Sequence, residues 1–162
     1  MGVKNYLIEG VSGTGKTTVC DALQARGYHA IHGDRELAYS GDPETDEPVD
    51  TGGHACHIWD VDKVRALVAD RSEAMTFFCG GSRNFSRFIH LFDAVFVLEV
   101  DIDTLNRRLA KRQTNEFGGR AAERALIARL HATNEDIPRH GISIDATLPL
   151  PRVVEAIVSR CG

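Results

Sequence analysis

Short, nearly continuous apolar runs recur along this chain, separated by longer stretches whose apolar positions repeat every three or four residues. Asn5–Glu9, Tyr28–Ile31, Met75–Cys79, Ala94–Val100 and Ile142–Ile144 have the length and content of buried strands. Lys16–Arg26 reads as a helix closed by Gly27, and Val61, Val64, Leu67 and Val68 mark one face of another. Ser82 is placed to N-cap a helix burying Phe85, Phe88, Ile89 and Phe92. Asp101 and Asp103 offer caps for a helix through Arg112, and a further helix runs from about Arg120 to Glu135, closed by Pro138. Pro151 starts the last one, whose apolar side is Val153, Val154, Ile157 and Val158. Strands alternating with helices predict the α/β class: a five-stranded parallel sheet flanked by helices in three layers.

Two stretches depart from this rhythm. Ser40–Thr51 is acidic and contains proline, too polar to pack, and reads as a surface excursion. Gln113–Gly119 is polar and glycine-rich, like a short lid. With 162 residues, 43% of them hydrophobic, the chain is the size of one domain with a full core. That domain is expected to span residues 1–162, with an acceptor-binding excursion at about 35–72 and the lid at about 113–119.

A net charge of −4 without a basic block argues against nucleic-acid or membrane partners. No apolar run is long enough to cross a bilayer, and Met1-Gly2-Val3 leads straight into the first strand, so no signal peptide is expected. Cys20, Cys56, Cys79 and Cys161 lack paired spacing, as expected of reduced thiols in a cytoplasmic monomer or homodimer.

The chemistry concentrates in Gly10-Val11-Ser12-Gly13-Thr14-Gly15-Lys16-Thr17, which fits G-x-x-x-x-G-K-[ST] at every defined position. Glycines let successive N–H groups turn inward on phosphate oxygens. Lys16 is expected to reach the β- and γ-phosphates and the Thr17 hydroxyl to ligate Mg²⁺, with Thr18 following in the first helical turn. A strand before this loop and a helix after it are the context the motif requires, and the helix N-terminus adds partial positive charge.

Other candidates follow strand ends, where ligands sit in open α/β sheets. Asp34, after the second strand, is placed to accept a hydroxyl proton or to hold substrate hydroxyls, the alternative being a cap on a helix starting near Arg35. Gly80 and Gly81 follow the third strand and permit close backbone approach to a ligand. Arg83, and less so Arg87 one turn on, is placed to pair with an acceptor carboxylate or phosphate. In the helix after Asp103, Leu105 and Leu109 define the buried stripe. At about 100° per residue Arg112 falls about 20° from Leu105 and Arg108 about 60°, so both lean inward, where a nucleotide supplies anionic and aromatic partners. Arg120 and Arg124 flank the lid and are as readily paired with Glu116 and Glu123. His54-Ala55-Cys56-His57 has metal-ligand residue types but is too compact for a tetrahedral site. Trp59 reads as core or as pocket wall.

With these residues in place, the chain resembles small P-loop kinases of the adenylate kinase and shikimate kinase type over most of its length. The resemblance implies a γ-phosphoryl transfer from ATP, with Mg²⁺, to a small-molecule acceptor. It implies adenine stacking for Arg108, contact with the transferring phosphoryl for Arg112, and the acidic role after the second strand for Asp34. Gly80-Gly81 resembles the glycines of shikimate kinases, and Ile144–Thr147 the adenine-contacting loop. The chain departs from shikimate kinases at His32 and Asn115, where they carry aspartate and arginine, and it has no Asp-Gly-Phe-Pro-Arg segment of adenylate kinases. Cys79 stands where many P-loop proteins carry an acidic metal ligand.

A nucleoside or related polyhydroxylated metabolite is therefore the expected acceptor. A shikimate-type hydroxy acid, or a nucleotide-binding regulatory role without transfer, stays open. Asp50-Thr51-Gly52-Gly53 matches the D-x-x-G of GTP switches but follows no hydrophobic strand, and an Asn-Lys-x-Asp guanine reader is missing, which favours ATP.

Overall fold

The computed structural model describes residues 4–10, 14–50, 56–111, 121–133, 138 and 141–161. Its elements in chain order are β1 (Lys4–Glu9), α1 (Lys16–Ala25), β2 (His29–His32), α2 (Gly33–Glu36), β3 (Ala38–Ser40), β4 (His57–Trp59), α3 (Val61–Ala69) and β5 (Met75–Cys79). There follow β6 (Ala94–Glu99), α4 (Ile102–Ala110), α5 (Ala121–Thr133), β7 (Ile142–Asp145) and α6 (Leu150–Val158). Five strands form one parallel sheet in the order β2-β5-β1-β6-β7. Central β1 lies between β5, with Ile8 opposite Cys79, and β6, with Ile8 opposite Phe96.

Alternation along these strands loads both faces, as an all-parallel sheet requires. Tyr6, Ile8, Phe77, Phe96 and Leu98 face α1, α4, α5 and α6, and Leu7, Ile31, Phe78 and Val95 face α3 and the segment around Phe88. Leu105 and Leu109 are the buried stripe of α4, as the helical period predicts, and the Asp101 carboxylate caps it by accepting from the Thr104 amide.

Three expectations are corrected. No α-helix follows Ser82; two 3₁₀ turns, Phe85–Arg87 and Ile89–Leu91, take its place. The Asn84 amide explains this: it accepts from the Trp59 N–H at 3.1 Å and donates to the Trp59 carbonyl at 3.0 Å. That side chain acts as a substitute strand for β4, fixing the chain in a turn before a helix can start. Asp34 is no cap either: it lies inside the single turn of α2, whose N-cap His32 makes no side-chain cap bond. Finally, the polar excursion is not merely solvated. Its flanks pair as the antiparallel β3–β4 ladder, Gly41 bridges Pro48, and Asp46, at φ 64°, holds Arg87 in a 2.7 Å ion pair. Among the described residues no helix is long and apolar enough to cross a membrane.

Candidate active site

Lys16 opens α1 immediately after Gly15, whose φ of 106° lies in the region that favours glycine. Its ammonium donates to the Gly10 carbonyl across the mouth of the loop. Thr17 and Thr18 are exposed at the same helix end. Ser12 and Gly13 lie outside the described residues, as do Arg112, Arg120 and the Gln113–Gly119 segment.

Arg108 does lean inward, and it donates to two backbone carbonyls. Nη1 donates to the Thr14 carbonyl at 2.9 Å and Nη2 to the Ala146 carbonyl at 2.8 Å. One planar guanidinium thus ties the phosphate loop to the turn after β7, through a fork that a point charge cannot reproduce.

Asp34, half exposed, meets His57 of β4, with His57 Nε2 3.0 Å from Asp34 Oδ1. Burial among these groups would raise the Asp34 carboxyl, but the His57 hydrogen bond, the Lys16 charge and the His57 charge together hold it below the ordinary range. It is an anion at neutral pH. Hydrogen bonds and nearby cations have beaten desolvation here.

Gly80 and Gly81 make room for side chains of the protein itself. A Cβ on Gly80 would stand 2.8 Å from Asp34 Oδ1 and 2.9 Å from Trp59 Cζ2, and one on Gly81 would stand 2.6 Å from Glu9 Oε1. Trp59 is fully buried core, stacked on Phe88 with ring centroids 5.6 Å apart, and its ring also fills the space beside Gly33. The Arg83 amide donates to the His57 carbonyl at 2.9 Å, which sets the Arg83 loop beside β4. Arg87 turns to Asp46 instead.

The sequence reading missed Glu9. It ends β1, is 3% exposed, and accepts from the Gly10 amide at 3.2 Å. Burial pushes its carboxyl up to about 8, against the pull of Lys16 and the Gly10 amide, while Asp34 adds to the rise and Arg83 opposes it. A usable signal was present: Glu9 is an acidic residue closing a buried strand, the same position that drew notice to Asp34. At the end of β5 the Cys79 thiol, hydrogen-bonded to Cys20 and buried, is held well above the ordinary thiol value, so it provides no anion. Thr17 is a hard oxygen donor of the kind Mg²⁺ takes, and it is exposed in the first turn of α1.

A glycine-cornered loop between the central strand and α1, with an anionic carboxylate at the next strand end, defines a P-loop domain of the three-layer α/β kinase fold. A family model described as an AAA domain matches residues 7–129, and the chain belongs to that family. A sugar kinase from Janibacter sp. HTCC2649 is similar in structure, with a TM-score of 0.56 and 19% identity over 97% of this chain and 93% of that one. A gluconokinase from Sinorhizobium meliloti 1021 gives a TM-score of 0.57 at 20% identity, covering 96% and 90%. A shikimate kinase from Acinetobacter baumannii, in complex with shikimate, gives 0.63 at 15% identity, covering 98% and 95%. No curated protein matches the chain by sequence.

Proposed function

We propose that this chain is an ATP-dependent small-molecule kinase that transfers the γ-phosphoryl group to a hydroxyl of a polyhydroxylated acceptor such as a nucleoside or sugar. The observation that carries the reading is the convergence of Lys16 and Asp34 on the Gly80-Gly81 turn, where a Cβ on Gly80 would stand 2.8 Å from Asp34 Oδ1 and one on Gly81 3.7 Å from Lys16 Nζ. Phosphoryl transfer needs positioning and charge neutralisation more than covalent help from the protein. Lys16 and the loop amides around Gly10, Ser12, Gly13, Thr14 and Gly15 hold the phosphates, with Thr17 and Thr18 at the helix end. Arg108 braces the loop on the nucleotide side, and Arg112 neutralises the transferring group. Asp34 takes the acceptor's proton, while Gly80, Gly81 and Arg83 border the acceptor. Mg²⁺, held through Thr17, supplies charge neutralisation at the phosphates when bound. Kinase chemistry in the sugar, gluconate and shikimate kinases of similar fold supports this assignment.

The test is ADP release from ATP and Mg²⁺ by the purified chain, against a panel of nucleosides, hexoses, gluconate and shikimate. One acceptor class should stimulate release, and Lys16→Met should lower that rate by more than about 100-fold. No acceptor stimulation, or an ATP-dependent output that survives both Asp34→Ala and Arg112→Ala, overturns the reading in favour of a nucleotide-binding regulatory module.

A further inference from the structure

We infer that His57 is the positioning residue of the acceptor half of the site, fixing the Asp34 carboxylate with its imidazole and the Arg83 loop with its carbonyl. The inference rests on the kinase reading, in which Asp34 takes the acceptor proton.

Two bonds from a single residue carry it. His57 Nε2 lies 3.0 Å from Asp34 Oδ1, and the His57 carbonyl accepts from the Arg83 amide at 2.9 Å. His57 is itself held in place. Its β4 neighbour Trp59 is gripped on both its N–H and its carbonyl by the Asn84 amide, and Ser40 of β3 pairs opposite His57. Oδ1 also sits against the Gly80 backbone, where a Cβ would stand 2.8 Å from it and 2.9 Å from Trp59 Cζ2. The carboxylate therefore has one oxygen committed to His57, and Oδ2 is the atom that receives the proton. In the transfer step the acceptor O–H bond breaks and its proton passes to Oδ2. The acceptor oxygen bonds to the γ-phosphorus, and the bond from that phosphorus to the bridging oxygen breaks, its electron pair leaving on ADP. His57 touches neither acceptor nor phosphate in this step. A surface ion pair of no consequence is the competing account, since the His57 and Asp34 side chains are 36% and 50% exposed. The charged and titratable groups facing Asp34 include His57, Lys16, Glu9 and the neutral Cys79 thiol, with the Trp59 indole also favouring its anion, and among them the loss of His57 has a definite electrostatic sign.

The full chain is assayed for acceptor-dependent ADP release across pH, with the panel acceptor giving the highest turnover, as wild type, His57→Ala and His57→Gln. His57→Ala should lower kcat by about 10–100-fold, as for a mispositioned reacting group. The KM for ATP should stay within about threefold, which also reports a folded nucleotide site. The acid limb of the kcat profile should move to higher pH, because Asp34 loses a hydrogen bond and a neighbouring charge that favour its anion. His57→Gln, whose amide can donate to the same oxygen, should recover most of the rate. A His57→Ala enzyme within threefold of wild type, an unmoved acid limb, or a Gln variant as impaired as Ala overturns the inference. A wild type inert toward every acceptor overturns the kinase reading, and the catalytic purpose of His57 with it. Separately, the His57 imidazole resonances of the nucleotide-free protein should shift in Asp34→Asn; unmoved resonances overturn the pairing whatever the activity.

Discussion

Oε1 of Glu9 occupies the space a side chain on Gly81 would need, 2.6 Å from where its Cβ would stand. Burial there keeps the carboxyl protonated far above the usual range, up to about 8. The folded chain therefore binds this proton more tightly than the unfolded chain does, and stability falls as pH rises from the ordinary value of 4.5 toward 8. Glu9→Gln removes that dependence. The variant should match wild type near pH 4 and exceed it increasingly as pH rises, by on the order of 3–5 kcal/mol at pH 8. Urea unfolding midpoints at several pH values measure it, and a difference that stays flat between pH 4 and 8 contradicts it.

Arg108 spans two carbonyls, on Thr14 and Ala146, that no other single side chain is seen to bridge among the described residues. Arg108→Ala should raise the dissociation constant for ATP by about tenfold, since one charge-assisted bond to the loop is worth about 1.5–3 kcal/mol. Arg108→Lys should recover less than half of that loss, because an ammonium cannot hold both carbonyls in plane. Calorimetric titration with ATP decides; a lysine variant that binds as tightly as wild type rules out the bridge.

Gly33 backs onto Trp59: a Cβ at position 33 would stand 2.2 Å from Cζ2 of the indole. The ring has no room to yield, being fully buried and stacked on Phe88. Gly33→Ala should cost about 2–3 kcal/mol, the penalty of an overpacked core. Trp59→Phe opens space at the same point, so the double variant should be less destabilised than the two single costs added together. Additive losses in thermal or urea unfolding would show that the two positions do not share that space.

The phosphate loop, the five strands and the inward lean of Arg108 were legible because each rests on local periodicity or on a motif with a fixed backbone geometry. Met75–Cys79 was placed to the residue. The β3–β4 hairpin was not legible: its strands are three residues each and its turn is acidic, so no alternating pattern long enough to recognise exists. The helix expected after Ser82 failed for a nonlocal reason. Asn84 bonds to Trp59, twenty-five positions earlier, and sequence periodicity carries no trace of that contact. His57 was seen only as a member of a metal-like run, whereas its partner is a carboxylate twenty-three positions before it. Glu9 was hidden by its strand, its charge masked by the apolar company it keeps.

The hairpin carrying His57 joins the body of the domain through isolated bonds rather than a continuous ladder. The Asp60 amide donates to the Leu37 carbonyl, the Arg83 amide to the His57 carbonyl, and Asn84 clasps Trp59. On the kinase reading, choice of acceptor is lodged in an insert rooted in the core by Trp59, while the grip on nucleotide belongs to the sheet. Grafting a different loop between Ser40 and His57, with Ile58 and Trp59 kept in the core, is then a route to new acceptors that leaves the energy donor unchanged.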